Sequence, residues 1–96
     1  MFEILISDSA NVELKTPREN ISLKKRYNAI NKTIKYLSNP RHPGLQTHEF
    51  TSLKGPRGEK VFEAYAEQNT PAAYRVFWYY GPERKQITII AITSHP

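Results

Sequence analysis

The chain opens on an apolar, β-prone segment, Phe2-Glu3-Ile4-Leu5-Ile6, which predicts a first strand. The period then changes. Leu23, Tyr27, Ile30, Ile34 and Leu37 recur at spacings of 4, 3, 4 and 3, the signature of a helix that buries one stripe. Thr16-Pro17-Arg18-Glu19 reads as the start of that helix. Thr16 suits the N-cap, Pro17 the first helical position, and Glu19 the reciprocal capping residue. Pro40 disfavours helical geometry at Asn39, so the helix should end near Ser38. Residues 7–15 admit two readings. Ser7 or Ser9 could cap a short helix carrying Ala10, Val12 and Leu14, or the segment could return as a hairpin through Val12 and Leu14.

From Thr47 onward the period is two. Residues 47–53, 61–67, 73–80 and 86–93 read as strands. Gly55-Pro56-Arg57-Gly58 and Gly81-Pro82-Glu83-Arg84 read as turns, with a short link through Asn69-Thr70-Pro71. Short links between consecutive strands predict an antiparallel meander. The expected architecture is α+β: one long helix, with room for a shorter one before it, on a mostly antiparallel sheet of four to five strands. Residues 1–96 are expected to form a single domain.

Alternation assigns the faces of the sheet. Phe62, Ala64 and Ala66 should face the helix, leaving Glu63, Tyr65 and Glu67 on the open side. In the next strand, Tyr74, Val76, Trp78 and Tyr80 alternate with Arg75, Phe77 and Tyr79, and the Arg75 side is expected to be open. Trp78 reads as core. Glu63, Tyr65 and Arg75 then share one surface, with His95 following the last strand.

Charge narrows the reading. The net charge is +5, and eleven bases fall between residues 15 and 60 against only Glu19, Glu49 and Glu59. Such a field attracts RNA, DNA or an acidic protein; its bland counterpart is a solvated lysine-rich helix face. There is no cysteine, which removes disulfides and thiolate chemistry. No apolar run approaches the roughly 20 residues of a membrane span, and the first residues do not read as a signal peptide, so a cytosolic protein is expected. The three histidines lack metal-ligand spacing, and the glycines all fall in turns, so neither a metal nor a phosphate-cradling loop is expected. His42 and His48 read as structural.

Asn39-Pro40-Arg41-His42-Pro43-Gly44-Leu45, Leu53-Lys54-Gly55, Val61-Phe62-Glu63-Ala64-Tyr65, Tyr74-Arg75-Val76-Phe77-Trp78 and Ile92-Thr93-Ser94-His95-Pro96 resemble the RelE/ParE superfamily of bacterial type II toxin–antitoxin toxins. The similarity runs in order along most of the chain. It implies a toxin silenced by a cognate antitoxin. The ribonuclease branch of that family cleaves messenger RNA in the ribosomal A site, without metal or other cofactor. The ParE branch poisons DNA gyrase instead, and some relatives are inactive.

By position, Arg75 matches the arginine that contacts the scissile phosphate, and His95 the C-terminal histidine near the cleaved bond. Lys54, Arg57 and Lys60 fall where the family places basic residues, and Glu63 loosely matches an acid used as a base. Two departures stand out. Residues 7–15 are short for the family's first helix, and the sequence ends one residue after His95.

Metal-independent RNA cleavage requires a base for the 2′-hydroxyl, an acid for the 5′-oxygen, and positive charge on the phosphorane. Glu63 and His95 can fill the proton-transfer roles in either order, and Arg75 can clamp two phosphate oxygens. Tyr65, Phe77 or Tyr79 could stack on bases, at roughly 1–3 kcal/mol each. The competing reading of Arg75 is a plain cross-strand ion pair with Glu63, worth about 0–1 kcal/mol if exposed.

Overall fold

A computed structural model of the chain describes residues 1–68 and 70–94. The elements run β1 (Glu3–Ile6), α1 (Asp8–Glu19), a 3₁₀ turn (Ile21–Leu23), α2 (Lys24–Tyr36), β2 (His48–Lys54), β3 (Lys60–Tyr65), β4 (Tyr74–Tyr80) and β5 (Gln86–Ser94). The strands form one mixed sheet in the order β1-β5-β4-β3-β2. The last four are the expected antiparallel meander, and β1 joins the edge parallel to β5. Two helices lie on one face, α1 against β5 and α2 against β4. The architecture is α+β.

The helical region departs from the sequence reading. A single long helix starting at Thr16 does not form. The first helix starts at Asp8, where the Ala10 N–H donates to Ser7 Oγ at 3.1 Å, and Pro17 lies inside its last turn. Pro17 is fully buried, so packing offsets the helical hydrogen bond that proline removes. Asn20 ends α1 in an extended conformation, and its Oδ1 accepts from the Ser22 N–H at 3.0 Å to start the 3₁₀ turn that leads into α2. Local capping chemistry at Thr16 is overridden by the tertiary site that Pro17 fills. Ser7→Ala is therefore expected to cost about 1 kcal/mol. Thr16→Ala should leave the denaturant midpoint unchanged, and urea unfolding of the two variants separates the two starts.

The apolar stripe holds on α2. Ile30 and Leu37 are fully buried, with Tyr27 and Ile34 packed beside them. They meet Ala64, Val76, Trp78, Ile87, Ile89 and Ile92 from the sheet, and Ala10 and Leu14 from α1. Trp78 is core, as expected.

Glu67 does not share the surface of Glu63. β3 ends at Tyr65, and Glu67 lies in the link beyond it, where its Oε1 accepts from Arg26 Nη1 of α2 at 2.6 Å. Arg26 Nη2 also donates to the Pro71 carbonyl at 3.1 Å, tying α2 to this link.

β1 pairs with β5 only as far as Ile6, opposite Ile89. Beyond that point α1 supplies side chains in place of a strand. Ser9 Oγ donates to the Ile90 carbonyl (3.3 Å), and the Ile92 N–H donates to Glu13 Oε1 (2.8 Å). Ile92 is itself buried. Glu13→Ala should strand that N–H and cost about 1–3 kcal/mol, read as a lowered melting temperature in calorimetry.

Candidate functional site

On the face away from the helices, the register of the sheet builds two rows. The first runs His48, Glu63, Phe77, Ala91 across β2, β3, β4 and β5; the second runs Tyr65, Arg75, Thr93 across β3, β4 and β5. Directly paired residues point their side chains to the same side, with Cβ atoms about 4.5–5.5 Å apart. Glu63 and Arg75 are diagonal neighbours between the rows, and Arg75 Nη1 reaches Glu63 Oε2 at 3.5 Å. The expectation that Glu63, Tyr65 and Arg75 share one face holds.

The surroundings of Arg75 are tighter than alternation alone implies. The guanidinium lies 5.0 Å from the Phe77 ring centroid and 5.9 Å from that of Phe50. These two rings meet edge-on, 4.9 Å apart. Aromatic rings attract a cation by about 0.5–2 kcal/mol, depending on desolvation, so the guanidinium is held against one flank of this ring pair. The side chains of Arg75 and Glu63 are 18% and 13% exposed, enough to leave an edge of the pair in solvent. Arg75 Nε is buried with no hydrogen-bond partner among the described residues. An arginine carries five N–H donors; Nη1 faces Glu63 and Nε is buried, so an anion can be met by the terminal nitrogens at the exposed edge.

The remainder of this face is not open. Val61, Phe77 and Tyr79 form a second small core with Phe50, Ile90 and Ala91. Phe77 is 3% exposed and Tyr79 6%, so neither can stack on a base. A bulge in β5 between the partners of Phe77 and Trp78 shifts the register there, and Ile90 packs into this cluster. The end of this face away from that cluster carries His48, Glu63, Tyr65 and Arg75.

Several solved structures share this arrangement of elements. A YoeB/ParE toxin from Agrobacterium tumefaciens superposes with a TM-score of 0.68 at 11% identity, over 99% of this chain and all of that one. A YoeB from Staphylococcus aureus, solved as a dimer, gives 0.61 at 18% identity over 99% and 98% of the two chains. The archaeal RelE of a RelE–RelB complex from Pyrococcus horikoshii OT3 gives 0.56 at 16% identity over 97% and 93%. The chain has the RelE/ParE toxin fold. No family model matches its sequence, and no curated protein matches it significantly.

Within the RelE/ParE fold of this chain the remaining sequence candidates separate. Lys54, Arg57 and Lys60 are exposed at the tip of the β2–β3 hairpin, where Gly58 takes a left-handed φ of 85° to close the turn. They lie at the opposite end of β3 from Tyr65, about 17 Å along the strand at 3.3 Å per residue. His95 lies outside the described residues. His42 is structural: its ring stacks on Tyr36 at 3.8 Å, and its Nδ1 accepts from the Gly44 N–H at 3.0 Å. His48 is exposed at the start of β2, opposite Glu63. Only the β2–β3 register reveals this, and a bulge in β2 hides that register from the sequence. Among the described residues no three His, Asp or Glu side chains gather as a metal site, and no helix is long and apolar enough to cross a membrane.

Proposed function

We propose that this chain is the toxin of a toxin–antitoxin pair and acts as an endoribonuclease on messenger RNA bound to the ribosome. The observation that carries the reading is the Arg75–Glu63 pair on the helix-free face, with the guanidinium seated against Phe77 and Phe50. The reaction needs no metal. A base takes the proton of the 2′-hydroxyl, the 2′-oxygen bonds to phosphorus, and the bond to the 5′-oxygen breaks as an acid returns a proton to it. Arg75 neutralises the charge that builds on the phosphoryl oxygens. Glu63 and His95 are the sequence candidates for the two proton transfers. Tyr65 borders the site as a surface for a base, and Lys54, Arg57 and Lys60 bind the backbone of the strand further along. The partner is an antitoxin; the archaeal RelE of the same fold was solved together with RelB. The site of action is the cytoplasm, where messenger and ribosome are.

A second reading is a ParE-like toxin that binds DNA gyrase, or a homologue that only binds an antitoxin. The low exposure of Arg75 and Glu63 favours it, because a partly buried pair also serves as a strut between strands. Expression in a bacterial host with transcriptome-wide mapping of messenger 5′ ends decides between them. Growth arrest with discrete new 5′ ends, absent with Arg75→Ala, is the expected result. Arrest with DNA damage and intact messengers would replace the nuclease reading with the gyrase one.

A further inference from the structure

We infer that His48 is a catalytic residue of this site, the base that takes the proton from the 2′-hydroxyl, working beside the Glu63–Arg75 pair. The inference rests on the nuclease reading above and assigns the base within it.

Three observations meet at this position. His48 is the Cα partner of Glu63, so the imidazole and the carboxylate rise side by side from adjacent strands. Glu63 in turn contacts Arg75 at 3.5 Å, so the register brings His48, Glu63 and Arg75 to the same end of the helix-free face. Glu63 is only 13% exposed and already engaged with Arg75, whereas His48 is exposed on an edge strand where a substrate can reach it.

The strand that carries His48 is also fixed to the clamp. Phe50, two residues along β2, is one of the two rings against the Arg75 guanidinium, so His48 and Arg75 are held by one packed unit. Both strands enter the site through a non-glycine residue in left-handed geometry: Gln46 (φ 46°) before β2 and Ala72 (φ 57°) before β4. Such conformations cost on the order of 1–3 kcal/mol and collect where a chain must present specific side chains.

His48 accepts the 2′-hydroxyl proton as the 2′-oxygen attacks phosphorus. The phosphorus–5′-oxygen bond breaks, and its electron pair leaves on that oxygen, which takes a proton from a second acid. The products are a 2′,3′-cyclic phosphate and a 5′-hydroxyl end.

The test is single-turnover cleavage of a 5′-labelled messenger, both on purified ribosomes and free, by wild type, His48→Gln and His48→Ala across pH 5–9. His48→Gln is expected to lose about 10²-fold or more in rate, and with it the fall in rate toward acid pH that protonation of the base produces. His48→Ala should recover part of its activity when free imidazole is added, a response that a purely structural histidine would not give. Both variants should keep the wild-type circular dichroism spectrum, because the side chain lies at an exposed edge. Cleavage by His48→Gln at the wild-type rate with an unchanged pH profile overturns the assignment and leaves the nuclease reading standing. A wild-type protein that cleaves neither substrate removes both.

Discussion

Arg75→Lys is expected to slow messenger cleavage by about 10²–10³-fold while shifting the melting temperature by only a few degrees. The rate estimate follows from what one preorganised donor contributes to a developing oxyanion. Lysine keeps the positive charge near Glu63, so the pair survives in altered form. It loses the planar fork, however, and a compact ammonium does not bridge two phosphate oxygens or reproduce the guanidinium's contact with Phe77 and Phe50. Arg75→Ala should be equally inactive but less stable, since it leaves the largely covered Glu63 carboxylate without its cation. Cleavage rates measured beside calorimetric melting separate the two effects. Arg75→Lys cleaving at the wild-type rate would reduce the arginine to a strut between strands.

Trp78→Ala is expected to destabilise the fold by about 3–5 kcal/mol, close to unfolding a domain of this size. The indole is fully buried at the centre of the sheet's helix side, 6.2 Å from the Phe62 ring and beside the buried faces of both helices. At about 4–8 °C per kcal/mol, the melting temperature should fall by more than about 12 °C. Trp78→Phe should be far milder. The Trp78 Nε1–H is buried and has no hydrogen-bond partner among the described residues, so removing it ends a desolvation cost that offsets some of the lost contact. Thermal melts of the two variants check the pair. Equal losses would mean that the indole nitrogen is satisfied in solution.

The strands were legible because β-sheet side chains alternate, and Tyr74-Arg75-Val76-Phe77-Trp78 carries that alternation plainly. The helix boundary was not. Thr16-Pro17-Arg18-Glu19 has the local chemistry of a helix start, yet Pro17 is buried near the end of a helix that Ser7 caps. Local propensity is a weak prior against a tertiary site of that kind. Glu63 and Arg75 could be placed on one face from parity alone. The closure of that face over Phe77 and Tyr79 could not, because it depends on Phe50 crossing from β2 and on a one-residue bulge in β5. The place of His48 opposite Glu63 was hidden for the same reason: which residue opposes Glu63 is a property of the strand pairing, not of either strand.

The edge strand β1 finds its partner among the described residues far along the chain, in β5: Glu3 lies opposite Gln86. A chain leaving the ribosome therefore holds an unfinished sheet until β5 emerges, and closing so long a loop is slow. Arg75 sits on the strand that β5 must flank, so its surroundings are completed only once β5 has joined. A chain cut short before β5 would leave β4, and Arg75 with it, at a bare sheet edge.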